Sequence, residues 1–196
     1  MRRQILIECQ MLMPQNRWVQ VTIANAKLSA LMANCLWSHT DPAALTKMNK
    51  ITSDDGLPEP QLTLTAKCGP RESAGDTVTA GQHVLVTAEL HRGHAASADQ
   101  VAQPACNNPQ GIYEAYWLYI EGIKPAGTAN SLIVAKPMVV TDLKSTSVSG
   151  EAVFQAPSVP GEYNLRVHVL STSVIGVNLT TDTKFIVEED DVPNLE

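Results

Sequence analysis

The residues best equipped for chemistry cluster around residues 83–106. His91 and His94 stand three apart, Cys106 follows, and His83 or Asp99 could complete a tetrahedral zinc set. Structural zinc sites usually take paired ligands on tight turns. Here the donors flank or sit in a small, polar, unpatterned stretch, so they read as incidental and no metal is expected. Nucleophilic catalysis has no better footing: there is no GxSxG elbow and no recognisable Cys/His setting. The glycine-rich phosphate cradles GxGxxG and GxxxxGKS are also missing, which leaves no cofactor to expect. The paired carboxylates Asp54-Asp55 fall in a linker. The acidic run Glu188, Glu189, Asp190 and Asp191 falls in a tail, where it is either solvated charge or a dock for a basic partner segment. No catalytic grammar is present, and an interaction role is expected instead of an enzyme.

Composition narrows the partners. Of 196 residues, 44% are hydrophobic and 17% charged, enough apolar surface for a packed core. The net charge of −6, with no basic cluster longer than Arg2-Arg3, gives no reason to expect nucleic acid. No apolar run reaches the ~18 residues of a membrane span, so no direct membrane insertion is expected. The basic start, Met1–Pro14, is interrupted by Glu8, Cys9 and Gln10 and lacks a signal-peptide cleavage site. The four cysteines, Cys9, Cys35, Cys68 and Cys106, are scattered and read as free thiols of a reducing compartment. The sequon Asn178-Leu179-Thr180 points the other way and reads as a chance occurrence.

These residues need elements to carry them, and the chain changes character near residue 50. Within Arg17–Ser38, Ala24, Leu28, Leu31, Met32, Cys35 and Leu36 recur at three- and four-residue steps, predicting one stripe of an α-helix. Pro14 and Asn16 suit its start, Asp41-Pro42 its stop. So short a helical piece, residues 1–48, cannot bury its own apolar stripe and must lean on a neighbour. Residues 49–60 are a polar, proline-containing linker.

From there the period becomes two. Gln61–Lys67, His83–Leu90, Glu162–Leu170 and Thr183–Val187 alternate apolar and polar residues, as half-buried antiparallel strands do. In Glu162–Leu170 the apolar set is Tyr163, Leu165, Val167 and Val169, with Asn164, Arg166 and His168 facing out. Ile112–Glu121, Ser131–Val140 and Ser147–Phe154 are further strands, separated by Gly/Pro turn signals. Trp117 and Tyr119 alternate with Leu118 and Ile120, predicting a strand covered on both faces, with Trp117 in a packing role. Arg92–Gln110 reads as a long inserted loop. The expected fold is mainly β: an immunoglobulin/fibronectin-III-like β-sandwich over residues 61–188, preceded by a short α-helical segment and followed by an acidic tail, 189–196.

The wording of these strands resembles a known family. The order YWLYI (Tyr116–Ile120), SLIVAKPMVV (Ser131–Val140), VFQAPSVPGEYNLRVHVLSTSVIG (Val153–Gly176) and KFIVEE looks like the end of the Sec-sixty-three homology unit. Its pattern, "F-x-A-P…P-G-x-Y" then "S-D-x-x-x-G", is met by Phe154, Ala156, Pro157, Pro160, Gly161, Tyr163, Ser171, Ser173 and Gly176. Trp117 stands in the Trp-rich strand, and ANCLW (Ala33–Trp37) resembles the unit's helix ending in Leu-Trp. Departures are Thr172 for the acidic residue, Ile175 for the aromatic before the glycine, and a single Trp in the Trp-rich strand. Most of the unit's upstream helical part is missing, which reads as a fragment.

The resemblance implies a docking role. The unit occurs in an endoplasmic-reticulum translocation protein, whose cytosolic part docks on the protein-conducting channel and whose acidic tail meets a basic partner. It also occurs in large RNA helicases of the Ski-two-like class, including the spliceosomal one. The wording WLYI…LI…KP…VTDLKST sits closer to the translocation protein. Expected partners are translocation channel subunits and associated membrane proteins, at the cytosolic face of the endoplasmic reticulum; the alternative is helicase regulation in the nucleus.

Overall fold

In the computed structural model the described residues are 19–33, 62–71, 75–93, 115–140, 142, 145–171 and 178–189, with side chains of the helix described to residue 28. One helix, α1 (Val19–Ala33), precedes eight strands: β1 (Leu62–Pro70), β2 (Thr77–Thr79), β3 (His83–Arg92), β4 (Ala115–Gly122), β5 (Ser131–Val139), β6 (Ser147–Gln155), β7 (Gly161–Ser171) and β8 (Asn178–Glu188). They form two sheets, β1-β3-β6 and β2-β8-β7-β4-β5. Every pairing is antiparallel except the short β2–β8 contact. None of the described helices is long and apolar enough to cross a membrane.

The alternation explains the layering. Val84, Val86, Ala88 and Leu90 of β3 face Leu118 and Ile120 of β4 and Leu165, Val167 and Val169 of β7 in one core between the sheets. Each of these side chains is at most 2% exposed. Burying one such Val, Leu or Ile contributes about 1.5–3 kcal/mol, so this shared core outweighs any surface contact.

Two close approaches shape the flanks. Gly150 of β6 lies against Met138 of β5; a Cβ there would meet the Met138 Cγ at 2.6 Å and Sδ at 2.7 Å. Any larger residue would have to displace the Met138 side chain where the two sheets meet. On the other flank the chain passes from one sheet to the other between β1 and β2. There a Cβ on Gly69 would lie 2.0 Å from the Gly75 carbonyl oxygen, so only a glycine permits the crossing. The three-residue β2 was not foreseen from the sequence, because three residues carry no readable alternation.

The outer face of the five-stranded sheet is half apolar. Tyr119, Leu132 and Leu170 meet Val19, Ile23 and Ala26 of α1, with Trp117 and Ala135 packed beside them. A register shift between Ile120 and Glu121 turns Leu132 to this outer face, whereas Met138, further along β5, points into the main core. The doubly covered β4 matches expectation. The helical stripe does not: Ala24 and Leu28 are exposed, and the packed positions are Val19, Ile23 and Ala26. The segment VQVTIANAKLSALMA is apolar around much of its circumference, so periodicity alone could not choose its buried side.

Candidate functional site

The polar half of that outer face is where side-chain chemistry gathers. Glu121 of β4 and His168 of β7 point the same way from neighbouring strands. Their Nε2–Oε2 distance is 2.7 Å, with both side chains under 10% exposed. The Glu121 Oε1 accepts a hydrogen bond from the Asn130 amide at 2.8 Å. The Asn130 Oδ1 in turn accepts from the Lys124 backbone N–H at 2.9 Å. Both carboxylate oxygens are therefore engaged, and the network ties the β4–β5 turn to β7. The carboxylate requires the proton on Nε2, leaving Nδ1 on the side of the ring away from Glu121. His168, expected to face solvent, is instead a buried partner; Glu121 is 47 residues away and no local pattern announces it.

Toward β8 the same face carries a second pair. Arg166 donates through Nε and Nη2 to the two oxygens of Asp182, at 2.8 and 3.0 Å. Each partner stabilises the charged form of the other, lowering the Asp182 pKa and raising that of Arg166. Lys184 and Glu162 pair likewise at 2.8 Å, fully at the surface, and the same mutual effect lowers the Glu162 pKa and raises that of Lys184. Between α1 and these strands runs an open polar groove of about 650 Å³. Its helix wall is Gln20, Ile23 and Lys27; its sheet wall includes Arg166, His168, Asn178, Thr180 and Asp182.

A buried His–carboxylate pair supplies two of the three members of a nucleophilic triad. Thr180 is the register partner of His168, yet no hydrogen bond joins their side chains among the described contacts. The described pair acts as a brace between strands, with the groove as a surface beside it. The Tyr119 hydroxyl is buried without a partner among the described residues, and burial alone raises its pKa. Burial also pushes the free Cys68 thiol up to about 12, which keeps it protonated and unreactive.

Two of the sequence-motif residues, Phe154 and Tyr163, come together on Phe185. Phe154 meets Phe185 edge-on at 5.9 Å, and Tyr163 stacks on Phe185 at 5.4 Å. The Tyr163 hydroxyl donates to the Val159 carbonyl at 2.8 Å, closing the turn through Pro160; Pro157, just before that turn, is half-buried. Gly161 begins β7 at φ +149°, a conformation that disfavours any side chain. Trp117 lies on the outer face, stacked on Tyr119 at 5.8 Å. Ser173 and Gly176 lie outside the described residues, as do Asp190 and Asp191. Glu188 and Glu189 are exposed at the end of β8.

Of the zinc candidates, His83 and His91 are exposed on β3 and eight residues apart, about 26 Å along a strand, so they cannot share an ion. His94, Asp99 and Cys106 lie outside the described residues. Arg92, assigned to a loop by sequence, ends β3 fully buried, with its Nη1 donating to the Ser145 carbonyl.

Comparison with known proteins gives similarity to solved structures alone. No family model matches the chain, and no curated protein does. Among solved structures it is similar to the Pseudomonas fluorescens alkylpurine DNA glycosylase AlkC bound to DNA containing an abasic site analog. That match has 14% identity, covers 86% of this chain and 38% of the other, and has a TM-score of 0.35. A β-glucosidase from Listeria innocua matches at 9% identity over 67% of this chain and 17% of that one, TM-score 0.35. A β-glucosidase from Erythrobacter marinus matches at 4% identity over 66% and 16%, TM-score 0.39. The chain thus spans well under half of each of these proteins.

Proposed function

We propose that the chain is a non-catalytic protein–protein interaction module of the endoplasmic-reticulum translocation machinery, docking on the cytosolic side of the protein-conducting channel. On this reading the β region is an immunoglobulin/fibronectin-III-like sandwich of the Sec-sixty-three unit, and works as part of a larger protein. The observation that carries it is the joint formed by the family-pattern residues. Phe154 and Tyr163 meet at Phe185, Gly161 starts the strand two residues before Tyr163, and the Tyr163 hydroxyl reaches back four residues to the Val159 carbonyl. Such a tyrosine corner is a hallmark of immunoglobulin-like sandwiches, where it locks the loop before the strand. The strand order, three strands against five with β1 and β2 in different sheets, supports the same reading.

The test is capture by the tagged chain from detergent-solubilised endoplasmic-reticulum membranes and, separately, from nuclear extract. Recovery of channel subunits is expected. Recovery of spliceosomal proteins alone would overturn the proposal in favour of a helicase module.

A further inference from the structure

The free side of β8 has the makings of a binding edge. The strand has eleven residues, yet β2 pairs only with Ile186, Val187 and Glu188. The Ile186 N–H donates outward, to the Asp76 carbonyl at 2.8 Å, and the Glu188 carbonyl accepts from the Ala80 N–H at 3.2 Å. In an antiparallel strand alternate residues direct both backbone groups to the same side. The N–H and C=O of Thr180, Asp182 and Lys184 therefore point away from β7, and among the described residues no strand pairs with them.

Edges in folded proteins are normally blunted by proline, a bulge or protruding charge. Asn178–Lys184 contains no proline, and its pairing with β7 has no register shift. Its charged side chains lie back across β7, Asp182 on Arg166 and Lys184 on Glu162, instead of projecting beyond the edge.

The adjoining groove favours one kind of occupant. Alternate side chains of a strand added here would project to the outer face, beside Gln20 and Lys27 of α1. On the groove walls Asp182 is neutralised by Arg166, and Glu121, behind His168, is held by that imidazole. Lys27 has no ion-pair partner among the described residues.

We infer that the β8 edge from Asn178 to Lys184 accepts an extended, acidic segment of a partner polypeptide as an added strand. Backbone hydrogen bonds supply the register, and Lys27 selects for a carboxylate. This deepens the interaction reading by naming the surface and the kind of segment. It rests on the domain being a binding module, whichever larger machinery it belongs to.

The probe is a capped seven-residue peptide alternating valine and glutamate, fluorescently labelled, titrated into the full chain at low salt and followed by anisotropy. A second peptide carries lysine in place of glutamate. The acidic peptide should bind more tightly, by about fivefold to tenfold, and the preference should shrink as salt rises. Lys27→Glu should reverse it without touching the backbone edge. Thr180→Pro removes one outward N–H and should abolish binding of both peptides; its melting temperature shows that it is folded. Absence of binding, equal affinity for the two peptides, or binding unaffected by Thr180→Pro would each overturn the inference. So would a concentration-dependent dimer lost in Thr180→Pro, which would assign the edge to a second copy. Peptide binding can succeed where channel capture fails, and the reverse, so the two failures are distinguishable.

Discussion

The five-stranded sheet has two sides, and they are finished differently. On the β5 side Pro137 interrupts the donor row, and Met138 sits on Gly150 of the facing sheet. The Lys136 ammonium reaches the Glu151 carbonyl at 2.9 Å, so the two sheets are stitched together. On the β8 side the short β2 covers only the last turn of pairing, and Thr180, Asp182 and Lys184 keep outward backbone groups. One side is built to exclude a further strand. The other leaves the outward backbone groups of three β8 residues without a strand partner among the described residues, beside a polar groove that carries Lys27.

That contrast predicts unequal sensitivity to substitution. Removing the brace beside the closed side should have the largest effect. Glu121→Ala leaves buried His168 and the half-buried Asn130 amide without their acceptor, and should cost about 3–5 kcal/mol in chemical denaturation. A loss below about 1 kcal/mol would mean the brace is not holding the strands.

Gly150→Ala comes next, because its methyl must displace Met138. A loss of about 1–3 kcal/mol is expected. Combining it with Met138→Ala should restore part of that, since the clash is between these two residues; simple additivity would break the account of a stitched side.

Asp182→Asn, on the open side, should cost only about 0.2–1 kcal/mol, and less at high salt, because Arg166 and Asp182 are well exposed. A loss as large as that of Gly150→Ala would erase the contrast.

Sequence and structure part company where tertiary partners take over from local pattern. The strands with clean alternation, β3 and β7 above all, were legible because one face is buried in the core. β8 was read only as Thr183–Val187, while it begins at Asn178. Its first half, NLTTDT, shows little hydrophobic contrast, although threonine's branched Cβ suits a strand. The buried side of α1 was misassigned because apolar residues lie around much of the helix. His168 and Arg92 were placed in solvent or in a loop because their partners, Glu121 and Ser145, lie 47 and 53 residues away. The aromatic joint at Phe154, Tyr163 and Phe185 was visible as family wording. The groove and the open edge were not, since an edge is defined by a pairing that stops.

The most direct test is residue-resolved amide hydrogen exchange on the chain alone. The account predicts a two-residue rhythm along β8. The amides of Thr181 and Thr183, directed to β7, should be protected, while those of Thr180, Asp182 and Lys184 should exchange close to unstructured rates. Equal protection at all five would show that the edge is already covered by the rest of the chain, and would contradict an open side available to a partner.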